Sequence, residues 1–165
     1  MDQIRLIDIK EEILSDNKGL ADRIRQKLSQ QKVFMLNLMG SPGAGKTSLI
    51  LRSIEALRGR LRMGVIEGDV AGQVDADKVA ETGTPVVQIN TGGGCHLDAP
   101  QVQKALKRLP LGEIDLLFIE NVGNMVCPAA HDLGEHRRVV LLSIPEGDDK
   151  VAKYPTLFQP ADCIL

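Results

Sequence analysis

The chain has 165 residues, 43% hydrophobic and 25% charged, with a net charge of −2 from 20 basic and 22 acidic side chains. This suits one ordinary soluble domain with its own core. With 2% aromatics, no Trp and no basic excess, the composition speaks against nucleic acid as the main ligand. No apolar run reaches the ~20 residues of a membrane helix. The N-terminal MDQIRLIDIK is too charged for a secretory signal, so the expected location is the cytoplasm. Cys95, Cys127 and Cys163 are too few and too uneven for a disulfide framework, leaving burial, metal binding or reactivity.

Residues 1–32 read as a helical N-terminal segment. Ile13, Leu14, Leu20, Ile24 and Leu28 recur at helical spacing, and Asp16-Asn17-Lys18-Gly19 predicts a break between two short amphipathic helices. From Val33 the pattern alternates. Strands are expected at Val33–Met39, Met63–Ile66 (ending at Asp69), Val86–Ile89, Ile114–Glu120 and Val139–Ile144. Helices are expected through Leu49–Leu57, around Asp75–Glu81 and from Asp98, where Gln101 completes a capping box. The alternation predicts an α/β fold with a mainly parallel sheet sandwiched by helices over residues 33–165. Pro160–Leu165 reads as the start of a further buried strand, and the domain is expected to continue beyond it.

Gly40-Ser41-Pro42-Gly43-Ala44-Gly45-Lys46-Thr47 matches G-x-x-x-x-G-K-[ST] between a buried strand and an amphipathic helix, and Ser48 extends the contact into that helix. This is a P-loop NTPase signature. Backbone N–H groups and a helix N-terminus cradle the phosphates, Lys46 neutralises them, and Thr47 is expected to ligate Mg²⁺. Asp69 and Glu120 end neighbouring strands, where ligands bind in open α/β sheets, and are the candidate Mg²⁺ ligands and catalytic acids beside Lys46. A helix cap is the competing, less favoured role for Asp69. Gly123, three residues after Glu120, would let a backbone N–H reach the γ-phosphate as a switch. The next residue is Asn124, with no glutamine there to orient water, so hydrolysis is expected to be slow.

The motifs come in a fixed order. After the P-loop stand Glu67-Gly68-Asp69-Val70, Gly92-Gly93-Gly94-Cys95-His96-Leu97-Asp98-Ala99, Glu120-Asn121-Val122-Gly123-Asn124 with Cys127-Pro128, and Glu146-Gly147-Asp148-Asp149-Lys150 with Lys153-Tyr154-Pro155. Over about residues 33–165 this resembles the hydrogenase nickel-incorporation GTPases, the HypB family of SIMIBI-class P-loop GTPases. The resemblance implies GTP and GDP as ligands and a role in nickel delivery during [NiFe]-hydrogenase assembly. It also implies a nucleotide-dependent homodimer, with a small nickel- and zinc-binding maturation protein and the hydrogenase large subunit as partners. Two departures stand out. The chain carries no His-rich or Cys-rich N-terminal tract, and no Asn-Lys-x-Asp base-reading motif.

Two thiolates and an imidazole, Cys95, His96 and Cys127, suit Ni²⁺ or Zn²⁺, with open positions for water or a second chain. Adjacent Cys95 and His96 can share one ion only if the loop turns there. Burial as small hydrophobes is the competing reading for the cysteines, and the resemblance favours the metal. Cys163 reads as a core strand residue. His131 and His136, in a polar loop with Asp132 and Glu135, read as solvated, with at most a secondary metal role. The charged Asp148-Asp149-Lys150 loop reads equally as a solvated turn; the resemblance implies a dimer contact there, with Lys153 reaching an acid of a second copy. Two other readings remain open from the residues alone: a P-loop kinase or ATPase of small-molecule metabolism with incidental cysteines, and a metal-binding scaffold that uses nucleotide only to assemble.

Overall fold

The computed structural model describes residues 2–70 and 72–165, with side chains from residue 16 onward. Six strands, β1 (Phe34–Gly40), β2 (Met63–Asp69), β3 (Val86–Asn90), β4 (Leu116–Glu120), β5 (Arg137–Leu141) and β6 (Cys163–Ile164), form one sheet in the order β3-β2-β4-β1-β5-β6. Every pairing is parallel. The helices are α1 (Asp2–Gln30), α2 (Lys46–Leu57), α3 (Val74–Ala80), α4 (Ala99–Leu106), α5 (Lys150–Lys153) and α6 (Pro155–Phe158). Among the described residues, no helix is long and apolar enough to cross a membrane.

Successive strand residues point to opposite faces, and both faces are covered. Met35, Ile66, Leu117 and Ile119 pack with Ala21, Ile24 and Leu28 of α1 and Val102 and Ala105 of α4. Leu38, Val65 and Phe118 meet Ile50 and Ile54 of α2 and Val79 of α3 on the other side. The expected sandwich is what forms, and the Asp98–Gln101 capping box starts α4 as the sequence implied.

The N-terminal stretch departs from expectation, because α1 runs unbroken through Asp16–Gly19. Asn17 is buried, and its amide bonds to Asp132 and Ala99 instead of competing for its own helix's backbone. A glycine inside a helix costs about 1 kcal/mol. Burial of Ala21, Ile24 and Leu28 against the sheet offsets that. The second difference is at β6. It pairs with β5 as a strand, but Cys163 and Ile164 are exposed on the sheet edge rather than in the core. Only one side of an edge strand is paired, here the side facing β5.

Candidate nucleotide and metal site

Parallel order brings the C-terminal ends of β1, β2 and β4 side by side, and the loops leaving them wall one cleft of about 430 Å³. Gly40 closes β1 and Lys46 opens α2, so Ser41–Gly45 is the turn between them. The Lys46 ammonium is buried at 6% exposure and donates to the Gly40 and Ser41 carbonyls at 3.3 and 3.1 Å. Burial lowers its pKa, opposed by the charges of Glu120 and Glu67. Ser48 and Gly43 line the same cleft, and Ala44 closes the turn through its N–H to the Ser41 carbonyl.

The three acids sit differently. Glu120 accepts a hydrogen bond from the Thr47 hydroxyl at 2.8 Å, while its second oxygen is buried without a partner. Asp69 lines the cleft, but its carboxylate accepts from the Val70 and Gly72 N–H groups at 2.6 and 3.0 Å, within its own loop. The third acid, Glu67, was not singled out from the sequence. It stands opposite Glu120 in the β2–β4 register, is 3% exposed, and leaves Oε1 unpartnered. Burial, then the adjacent Glu120 charge, pushes its pKa up to about 10. Its signal was present in the sequence. A carboxylate two residues before Asp69, inside an apolar strand, must share the cleft-facing side with it. Thr47 and Glu120 thus offer a hydroxyl and an orphaned carboxylate oxygen beside Asp69 in the same cleft, a hard oxygen set that fits Mg²⁺.

Gly123 touches the phosphate loop directly. A Cβ there would lie 2.9 Å from Pro42 N, Cα and Cγ, so no side chain fits. Asn124, noted in the sequence only for not being glutamine, has two attachments. Its N–H donates to the Gly40 carbonyl at 3.1 Å, and its Oδ1 accepts from Val126 N and Cys127 N at 2.7 and 2.9 Å.

The segment thus ends at the second cluster. Ligand atoms of Cys95, His96 and Cys127 all lie within 4.8 Å of one another, half-buried. The loop makes the turn required of it. Thr91 and Gly94 are hydrogen-bonded to each other, and Cys95 Sγ comes 3.7 Å from His96 Nδ1. Hydrogen bonding to Cys95, then burial, pushes the Cys127 thiol up; burial lowers His96, which keeps the imidazole neutral and able to ligate.

The two other histidines are half-buried and engaged with neighbours, not simply solvated as expected. His131 stacks on His96 with ring centroids 3.8 Å apart, its Nδ1 lying 3.1 Å from the Cys127 carbonyl. His136 stacks on Phe34, accepts at Nδ1 from Met35 N–H and sits 2.9 Å from Ser29 Oγ. Glu135 is buried and paired with Arg138 at 2.6 Å. The apparent polarity of this loop is internal pairing. Cys163 lies outside the ligand cluster, and Lys153 pairs with Asp149 of its own chain in a short helix rather than a loop.

Residues 34–139 match the family model described as CobW/HypB/UreG, nucleotide-binding domain. HypB from Helicobacter pylori, in a crystal structure in complex with nickel, is 40% identical with a TM-score of 0.86, over 90% of this chain and 70% of that one. The chain belongs to the HypB family. HypB from Archaeoglobus fulgidus superposes with a TM-score of 0.84 at 43% identity, over 91% of this chain and 73% of that one. The hydrogenase maturation factor HypB of Azotobacter vinelandii is 52% identical over all 165 residues, which span 54% of it. The chain spans about half the length of the first curated HypB relatives it matches.

Proposed function

We propose that this chain carries the GTPase and nickel-handling core of a hydrogenase maturation factor. It hydrolyses GTP slowly and uses nucleotide state to control Ni²⁺ held by Cys95, His96 and Cys127 for insertion into a [NiFe]-hydrogenase. Residues 33–165 form the GTPase unit, and residues 1–32 its N-terminal segment. One observation carries this reading: a single short segment, Glu120–Cys127, begins at the Thr47 hydroxyl and ends in the thiol cluster. The nickel complex of the Helicobacter pylori relative supports the metal half.

Lys46 and the loop N–H groups hold the phosphates. Thr47 and Glu120, with Asp69 freed from its loop, would hold Mg²⁺, which supplies positive charge against the β- and γ-phosphates. Glu67 stands behind Glu120 and keeps the pair short of two full negative charges. Gly123, packed on Pro42 of the phosphate loop, would sense the γ-phosphate. Nickel is cargo here, and Zn²⁺ competes for the same soft ligands. Its remaining positions are filled by water or by a second copy, in a dimer formed with nucleotide. A small nickel- and zinc-binding protein and the hydrogenase large subunit stand on either side of the transfer.

The test is a paired measurement. GTP should be turned over far below the ~10 s⁻¹ of a median enzyme, in preference to ATP. Ni²⁺ affinity should differ between GTP- and GDP-loaded protein and be lost in Cys127→Ala but retained in Cys163→Ala. ATP preference, or Ni²⁺ bound equally tightly by Cys127→Ala, overturns the reading.

A further inference from the structure

We propose that Asn17, on the N-terminal helix, is a positioning residue of the metal site, setting the spacing between the two loops that supply its ligands. This rests on the reading of Cys95, His96 and Cys127 as that site. The ligands come from separate segments, Cys95-His96 before α4 and Cys127 after β4. The His131–His96 stack joins them, and α1 bonds to the chain beside each.

Asn17 spans the two loops. Its Nδ2 donates to the Asp132 carbonyl and its Oδ1 accepts from the Ala99 N–H, both at 2.8 Å. The two partners dictate the amide's orientation, since only nitrogen can face a carbonyl and only oxygen an N–H. Ala99 lies three residues past His96, and Asp132 directly follows His131. Each end of the amide therefore holds one loop.

The Ala99 bond completes an accounting. At the start of α4 the Gln101 N–H is taken by the Asp98 side chain and the Val102 N–H by the Asp98 carbonyl. Pro100 has no N–H, and the Ala99 N–H, lacking a partner within its helix, is satisfied by Asn17. Removing the amide leaves a buried donor without a partner next to the metal loop.

The other loop is gripped three ways by the same helix face. Arg25, two turns on, pairs with both Asp132 carboxylate oxygens at 2.6 and 2.7 Å and donates Nε to the Glu135 carbonyl. Gly134 lies so close that a Cβ would come 2.6 Å from Ile24 Cγ2 and 2.8 Å from the Ala21 carbonyl. Between these anchors and the ligands stands His131, stacked on His96 and in contact with the Cys127 carbonyl. Displacement of Asp132 thus shifts the histidine that both loops rest on.

Outer partners of metal ligands commonly change affinity by about 10- to 100-fold when removed. Asn17→Ala and Asn17→Asp should each weaken Ni²⁺ binding about tenfold and shift the thiolate-to-nickel charge-transfer bands. The aspartate variant keeps an acceptor for Ala99, loses the donor to Asp132 and sets a carboxylate oxygen against that carbonyl. Leu28→Ala, which opens a cavity on the same helix away from these bonds, is the control for lost stability. It should lower the melting temperature while leaving Ni²⁺ affinity and the bands unchanged. Parent-like affinity and bands in either Asn17 variant overturn the proposal, as does the same shift in Leu28→Ala. Cys127→Ala separates the two levels: if it retains the parent's bands, the metal site itself is elsewhere; if it loses them while the Asn17 variants do not, only the positioning role fails.

Discussion

Glu67 and Glu120 face each other across the β2–β4 pair, each buried, each with one oxygen lacking a hydrogen-bond partner. Lys46 lines the same cleft, with its ammonium partly occupied by the Gly40 and Ser41 carbonyls. Burial keeps Glu67 protonated up to about pH 10, against about 4.5 in the unfolded chain.

 Folding then binds a proton that the unfolded chain releases, so stability falls as pH rises through this window. Glu67→Gln should raise the melting temperature of the nucleotide-free protein at pH 8 by roughly 2–8 °C, for about 1–2 kcal/mol. The gain should vanish near pH 4. Thermal scans across pH decide it, and an equal gain at both ends would contradict the burial argument.

Lys46→Ala should leave the fold intact and weaken nucleotide binding by roughly 100-fold, the loss of about 3 kcal/mol of charge-assisted contact with phosphate. Calorimetry with GTP and GDP measures it. Parent-like affinity in a folded variant would remove the phosphate-loop assignment.

Gly123→Ala tests the contact between the switch segment and the phosphate loop. Its Cβ would sit 2.9 Å from three Pro42 atoms, two of them backbone. Relief requires moving one loop off the other, at about 1–3 kcal/mol. Nucleotide affinity should fall with the melting temperature, and unchanged values for both would show that the loops separate freely.

Asp132 gives an acid-side signature. Burial opposes its ionisation, but hydrogen bonds from Arg25 and the Gly134 N–H hold its pKa below the usual 3.8. Its contribution is therefore present above the unfolded value and is lost as pH falls through the folded one. Asp132→Asn should cost about 1–2 kcal/mol at pH 7. The gap between parent and variant should close as pH falls below 3.8, as followed by urea melts; a gap that stays constant into strong acid would mean the Arg25 pair is not the cause.

Ile144 is 96% exposed, Val126 57% and Val151 43%, all in segments that follow the C-terminal ends of β4 and β5. In a nucleotide-dependent dimer these apolar groups are candidates for burial. Ile144→Asp should weaken dimerisation about tenfold or more in sedimentation with a non-hydrolysable GTP analogue, at unchanged nucleotide affinity. Equal dimer fractions would place the interface elsewhere.

Much of this was legible in the sequence because the signals were local. The phosphate loop, the capping box at Asp98 and the alternation of buried strands with amphipathic helices each depend on neighbours within a turn or two. What was missed depends on distant partners. Asn17 looked like a helix breaker because its partners, Ala99 and Asp132, lie 82 and 115 residues away. His131 looked solvated because its stacking partner is His96, on another loop. Glu67 was overlooked because only the register of β2 on β4 places it against Glu120. Cys163 looked buried because apolar neighbours do not reveal which strand lies on the edge.

The bridge made by Asn124 has a consequence for how such a chain can vary. Its main chain is tied to Gly40 and its side chain to the Cys127 N–H. Under the proposed function, the glycine loop before Cys95 would answer to the metal alone, and Ser41–Gly45 to phosphate alone. Residues 121–127 would answer to both, so a change there that improves the fit to one ligand would be screened again by the other. Tolerance to substitution should accordingly be lowest in this short stretch. A library scored separately for nucleotide binding and for metal binding would find the same positions intolerant in both.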